Sequence, residues 1–196
     1  MVKDRLSLSQ CESVDLSKAT LGNFSRSRPR WIEALWMLLE FLLVTNPLQP
    51  SSSIRAFILR IFGARIGKNV ILRPRMRVKF PWNLIIGEDV WIGEGVWIHN
   101  QGIVHIGEHS VISQECFITT GSHDIYGSMD LKVEPIVIGR GVWLTSRCIV
   151  LQGVKIGDCA IVTPGSVVHK SLSGGALYGG NPAVFLRKRW PDSSHE

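Results

Sequence analysis

The chain has 196 residues, enough for one compact domain with appendages, and its 45% hydrophobic and 19% charged content excludes a disordered chain. Lys and Arg exceed Asp and Glu by six, a balance suited to anionic lipid or a phosphorylated ligand. Nucleic acid is set aside because no reading module is present. Four cysteines, Cys11, Cys116, Cys148 and Cys159, lie too far apart for a Cys-x-x-Cys site, and nothing demands an oxidising compartment.

Residues 1–29 mix Ser, Lys, Arg and Asp with scattered aliphatics and read as an irregular arm, without the early apolar core of a signal peptide. Pro29 can open a helix. Trp31 to Val44 is nearly all apolar, interrupted by Glu33 and Glu40, and Pro47 and Pro50 end it. This helix rises about 21 Å, short of the roughly 20 residues that cross a bilayer. A second helix runs from Ser52 to Phe62, with Ile54, Phe57, Ile58 and Ile61 on its apolar face and Arg55 and Arg60 elsewhere. Two readings stand. The helices cover the open end of the repeat domain that begins near residue 64, or 31–44 makes a peripheral membrane contact through Trp31, Trp36 and Phe41, flanked by Arg26, Arg28 and Arg30.

From Ile66 the chain keeps a six-residue beat. Ile66, Leu72 and Val78 begin it; Ile86, Ile92 and Ile98 continue it; Ile106, Ile112 and Ile118 form the third group. After a break the beat resumes at Ile138, Leu144, Val150, Ile156, Val162 and Val168. Neither a 3.6-residue nor a two-residue period gives this spacing. It predicts an all-β solenoid of about five coils, each with three short strands and one aliphatic side chain per strand filling the interior. The recurring glycines are corner residues. The expected division is 1–63 for arm and helices, 64–170 for the solenoid with an insert at 121–135, and 171–196 for a segment covering the far end.

The first coil is basic outside, with Arg65, Lys68, Arg73, Arg75, Arg77 and Lys79. Trp91 and Trp97 each precede an inward position, so both should face outward, onto a ligand groove or a neighbouring subunit.

The insert carries the leading chemical candidate. His123 sits where the chain leaves a rigid coil, and an imidazole can take a proton from an attacking hydroxyl or amine near neutral pH. His99, His105, His109 and His169 fit coil surfaces, His195 lies in the tail, and their spacing suggests no metal site. Ser122 and Asp124 adjoin His123, but no nucleophile elbow is present, and immediate neighbours on an extended chain face opposite ways. No dinucleotide or Walker A loop occurs. No side chain can be named as the orienting partner of His123.

The hexads, Thr120-Gly121-Ser122-His123-Asp124, Val142-Trp143-Leu144 and the closing Gly179-Gly180-Asn181-Pro182-Ala183 together resemble the left-handed β-helix, or hexapeptide-repeat, acyltransferases. Within them the chain is similar to the colanic-acid-biosynthesis acetyltransferase branch, over roughly residues 20–190. The left hand of the coil comes from this resemblance, since strand crossovers are otherwise right-handed. The resemblance implies a cytoplasmic homotrimer, at the inner face of the membrane if 31–44 touches lipid. It implies acetyl-CoA as donor, no metal, and direct transfer to a sugar hydroxyl of a polysaccharide or glycolipid precursor. His123 would then be the general base, Trp143 would lie at the acetyl and pantetheine end, and the backbone N–H of Thr145 or Ser146 would hold the thioester oxygen. Asn181, Pro182 and Ala183, with Arg187 or Lys188, would lie against the nucleotide end. Asn100, with Trp97 and Asp124, would face the acceptor. An amino-sugar nucleotide acceptor and a non-catalytic scaffold are the alternatives. The 31–44 segment and the short insert depart from the small sugar acetyltransferases, which leaves the acceptor open.

Overall fold

The structure is a computed structural model, described here for residues 13–190; Cys11 and His195 lie outside the described residues. Helix α1 spans Arg30–Leu39 and passes into a π-helical segment, Glu40–Val44; α2 spans Ser52–Ile61. The Ser51 hydroxyl accepts from the Ile54 N–H and caps α2. Among the described residues no helix is long and apolar enough to cross a membrane.

The solenoid is built coil by coil. Coil one holds β1 (Arg65–Ile66), β2 (Ile71–Leu72) and β3 (Arg77–Val78); coil two holds β4 (Leu84–Ile86), β5 (Trp91–Ile92) and β6 (Trp97–His99). Coil three holds β7 (Val104–Ile106), β8 (Val111–Ile112) and β9 (Phe117–Thr119). The chain then leaves as a hairpin, β10 (Gly121–His123) and β11 (Leu131–Val133). Coil four holds β12 (Ile136–Ile138), β13 (Trp143–Leu144) and β14 (Ile149–Val150); coil five holds β15 (Lys155–Ile156), β16 (Ile161–Val162) and β17 (Val167–Val168). Strand β18 (Ala176–Gly179) begins a sixth coil, and β19 (Val184–Lys188) returns antiparallel along it.

Equivalent strands stack into three parallel sheets, one per side of the coil. The hairpin leaves without breaking the ladder: β7 pairs directly with β12, Ile106 opposite Ile138. The aliphatic hexad positions point inward as their spacing requires, and all but Ile66, which is partly covered, are buried. Burying each such side chain contributes roughly 1.5–3 kcal/mol. A second interior row lies two residues earlier, at Val96, Cys116 and Cys148 among others. At Gly107 an added Cβ would stand 2.6 Å from the backbone of Gly139 in the next coil, so that corner admits only glycine.

The N-terminal end of the coil is closed by Trp36, Val44, Ala56 and Leu59, which join the same core as Leu72 and Met76. Trp36 also donates its indole N–H to the Val78 carbonyl at 2.8 Å. The orientation of α2 corrects the expectation from its sequence. Its inward side is Arg55, Ala56 and Leu59; of the expected face only Ile58 packs against the core, whereas Ile54, Phe57 and Ile61 are exposed. At the other end Leu172, Ala176 and Tyr178 close the interior. All five residues of β19 are exposed, so this strand extends a sheet edge and the preceding segment does the covering.

Candidate active site

The hairpin is anchored at its base. Thr120 is buried, its hydroxyl accepts from the Gly102 N–H at 2.8 Å, and its carbonyl accepts from the Glu134 N–H at 3.0 Å. The N-terminal arm then runs along the outer edge of β11. Leu131 donates its N–H to the Thr20 carbonyl at 3.2 Å, and its own carbonyl accepts from the Asn23 N–H at 3.3 Å. The Asn23 side chain accepts from the Val133 N–H at 2.7 Å and donates to its carbonyl at 2.9 Å. Between them Gly22 has φ +51°, and a Cβ there would lie 2.0 Å from the Leu131 oxygen. Sequence reading missed this clasp; its one local signal is the Gly22-Asn23 pair.

His123 stands exposed on β10 opposite Leu131. Its Nδ1 lies 2.8 Å from the Met129 carbonyl oxygen. A carbonyl can only accept, so this contact places the ring proton on Nδ1 and leaves the Nε2 lone pair free to take one. Met129 has φ +59°, in the left-handed region that lets the turn bring its carbonyl back beneath the ring. Asp124 does not serve this role: its carboxylate pairs with Lys132 at 3.1 Å, and its N–H donates to the Asp130 carbonyl at 2.9 Å.

A cleft of about 410 Å³ opens between the arm, α1 and the outer face of coils one and two. Trp97, His99 and Gln101 line one side of it and Leu131 of the hairpin reaches it. The Arg77 guanidinium sits 4.0 Å from the Trp97 ring, and Phe117 packs against the same ring at 4.8 Å. Burial, aided by the nearby Lys79 charge, holds the His99 pKa below its ordinary value. Among the described residues the buried Oε1 of Gln101 has no hydrogen-bond partner, which marks it as a ready acceptor for a ligand hydroxyl or amide.

Asn100 departs from its expected place. It is fully buried; its Oδ1 accepts from the Phe80 N–H at 3.0 Å and its Nδ2 donates to the Phe80 carbonyl at 2.8 Å. Both ends of the amide are spent holding one coil to the next, and its neighbours His99 and Gln101 take the cleft positions.

On the adjoining face Trp143 is half-exposed and donates its indole N–H to the Ser113 hydroxyl at 3.0 Å. The Thr145 N–H donates to the Val162 carbonyl at 3.1 Å, as its counterparts do in every coil, and is not free for a ligand. The Ser146 N–H makes no such bond among the described residues. Ser146 borders a depression of about 500 Å³ with Gln114, Arg147 and Pro164. A second depression of about 290 Å³ runs beneath Trp91 and meets it at Gln114. Asn181 and Pro182 are exposed, and Ala183 donates its N–H to the Val167 carbonyl at 2.8 Å. Arg187 and Lys188 lie exposed on β19. Among the described residues no group of three or more His, Cys, Asp or Glu stands ready to hold a metal ion.

No family model matches the chain. It is 46% identical over 136 residues to the protein of Escherichia coli K12 named "Putative colanic acid biosynthesis acetyltransferase WcaF", covering 69% of this chain and 75% of that one. Its fold is similar to the hexapeptide-repeat acetyltransferase of Vibrio cholerae solved with acetyl coenzyme A, with a TM-score of 0.78, 24% identity and coverage of 90% of this chain and 98% of that one. It is similar too to a maltose O-acetyltransferase of Clostridium difficile, with a TM-score of 0.71, 24% identity and coverage of 81% and 84%. With three quarters of the Escherichia coli relative covered at that identity, the chain belongs to the WcaF-like family of hexapeptide-repeat acetyltransferases.

Proposed function

We propose that the protein transfers acetyl from acetyl-CoA directly to a hydroxyl of a sugar in a polysaccharide or glycan precursor, with His123 as general base. The observation that carries this reading is the bond between His123 Nδ1 and the Met129 carbonyl. It leaves Nε2 as the basic nitrogen on a hairpin clasped at its base and outer edge. The Vibrio cholerae relative was solved in complex with acetyl coenzyme A. A sugar is named as the acceptor of the Clostridium difficile relative.

In this scheme His123 Nε2 takes the proton of the attacking hydroxyl as its oxygen bonds to the thioester carbon. The Ser146 N–H stabilises the resulting oxyanion, worth roughly 3–4 kcal/mol for one well-placed donor. Collapse breaks the carbon–sulfur bond, and the imidazolium returns the proton to the departing thiolate. Trp143 supports the pantetheine end, and Asn181, Pro182, Ala183, Arg187 and Lys188 lie towards the nucleotide. Trp97 offers the acceptor an aromatic face beside His99 and Gln101, and Asp124 stays in the hairpin as the partner of Lys132. The coil is left-handed, and residues 64–170 are the catalytic unit between the helical 1–63 and closing 171–196 segments. Three copies assemble with sites between neighbours, at the inner face of the cytoplasmic membrane, which 31–44 touches.

The test is acetyl-CoA consumption by the purified protein against free sugars, nucleotide sugars and lipid-linked oligosaccharides, with His123→Ala alongside. Acceptor-dependent CoA release that the variant loses supports the reading. Full turnover in His123→Ala removes the base assignment, and transfer only to amino sugars moves the acceptor to an amine.

A further inference from the structure

Helix α2 turns Arg55 inward beside Ala56 and Leu59 and leaves Ile54, Phe57 and Ile61 outward. Arg55 is fully buried. Its guanidinium donates to the carbonyls of Val44 at 3.0 Å and Leu72 at 3.4 Å, and also to that of Gln49. These acceptors belong to the end of the π segment, the first coil and the loop between the helices, where a helix terminus and a sheet edge leave carbonyls without ladder partners. Arg55 supplies the donors. The cost is that the apolar stripe of the helix is displaced to the outside: Phe57 and Ile61 are each 60% exposed, and Ile54 is 45% exposed.

The preceding segment does the same. Trp31, Leu35, Leu38 and Leu42 recur at helical spacing and are all exposed; Phe41 is 70% exposed and Leu48, between the helices, 88%. Exposed apolar surface on both helices of one end marks a contact with something else.

The charge distribution says what. Residues 13–80 hold twelve Lys and Arg against three Asp and Glu, whereas residues 81–190 hold eight against nine. The positive excess therefore lies in the helical end and first coil. Exposed Arg28, Arg30, Arg65, Lys68 and Arg73 have no carboxylate within ion-pair distance among the described residues. Apolar side chains within a cationic rim fit the boundary of an anionic bilayer, acyl chains within and phosphates around.

We propose that the α1–α2 end docks on an anionic membrane surface, with α2 as a second contact helix beside the 31–44 segment. The proposal deepens the reading of the membrane contact given above and rests on it only for its purpose. Glu33, Met37 and Glu40 of the docking segment also line the 410 Å³ cleft, together with Arg77 and Lys79. Docking thus holds that cleft beside the bilayer, where a glycan joined to lipid through phosphate would be presented.

The experiment is co-sedimentation of the full chain with vesicles of phosphatidylcholine alone or mixed with phosphatidylglycerol. Wild type, Phe57→Ser/Ile61→Ser, Arg65→Glu/Lys68→Glu and His123→Ala are compared, with mass by analytical ultracentrifugation and melting for each. Expected is binding to the anionic vesicles at least about tenfold tighter than to the neutral ones and weakened by salt. Both double variants should bind about tenfold less at unchanged mass and melting, and His123→Ala should bind as wild type. Equal binding by Phe57→Ser/Ile61→Ser, or no sedimentation of wild type, overturns the proposal. So does a fall in mass in that variant with vesicle binding retained, which assigns the stripe to contacts between copies. Since vesicle binding is read without acetyl transfer, failure here leaves the catalytic reading standing, and failure of transfer leaves docking standing.

Discussion

His123 and Met129 are joined across their own hairpin, imidazole Nδ1 to backbone carbonyl at 2.8 Å, by a turn in which Met129 adopts φ +59°. In the proposed mechanism a side chain supplies the base, and a main-chain atom sets its tautomer. His123→Ala is expected to lower kcat about 10²–10⁴-fold with unchanged melting. Met129→Gly keeps the left-handed turn and should retain activity. Met129→Val disfavours it, because a β-branched residue at positive φ is a steric outlier. That variant should lose about tenfold in kcat with the KM for acetyl-CoA unchanged. Steady-state kinetics of the three variants tests the pairing, and equal kcat for Met129→Val and wild type would discard it.

Ser146 offers a test through its backbone. It occupies a corner column with Pro74, Glu94, Gln114 and Pro164, linked coil to coil through their carbonyls: Gly95 donates to Pro74 and Gly165 donates to Ser146. Two natural prolines in this column show that the turn accepts the ring. Ser146→Pro therefore deletes the N–H with the corner intact and should reduce kcat by about 10²–10³-fold. Ser146→Ala, which keeps the N–H, should stay within about twofold of wild type. Loss of activity in both would shift the role to the hydroxyl.

The solenoid was legible because one aliphatic side chain per six residues is the only chain-wide pattern that fills a three-sided interior; Ile92, Ile112 and Leu144 stack as their spacing requires. The role of Thr145 was legible in principle. It comes directly after the inward Leu144, and residues in that register donate to the next coil, as Gly93 and Gly107 do. Three features were not legible. The acceptor for His123 is a main-chain carbonyl, which leaves no side-chain signature. The docking of Thr20 and Asn23 on β11 is a contact across more than a hundred residues. The orientation of α2 departs from its sequence pattern because Arg55 turns inward beside Ala56 and Leu59, where its guanidinium meets carbonyls left unpaired at the coil end.

Asn100 separates a structural amide from a substrate contact. Asn100→Ala leaves the Phe80 N–H buried without a partner, a cost of about 1–3 kcal/mol, while the Phe80 carbonyl keeps the Asn83 N–H at 3.0 Å. Urea denaturation should show a lowered midpoint, with the acceptor KM little changed in the folded fraction. His99→Ala and Gln101→Ala should behave the other way, raising the acceptor KM with a smaller effect on stability. A raised KM and an unshifted midpoint for Asn100→Ala would restore the amide to the acceptor site.

Glu40 makes stability depend on pH in a direction opposite to most carboxylates. Its Oε1 accepts from the Val78 N–H at 2.5 Å, but burial pushes its carboxyl above the ordinary value, against the opposing pull of that bond and of Arg77 and Lys79. With a raised folded-state pKa, the folded chain retains a proton that the unfolded chain has already released. Stability from this group therefore falls as pH rises from the ordinary value of 4.5 through the folded value, and the full cost persists above both. Glu40→Gln keeps an acceptor for Val78 and carries no charge. It should melt at a higher temperature than wild type at neutral pH, and the gap should close as pH is lowered towards 4.5. Melting curves of both proteins across that range read the difference directly. A variant that melts below wild type at neutral pH would mean that the ionised carboxylate gains more from Val78, Arg77 and Lys79 than burial takes away.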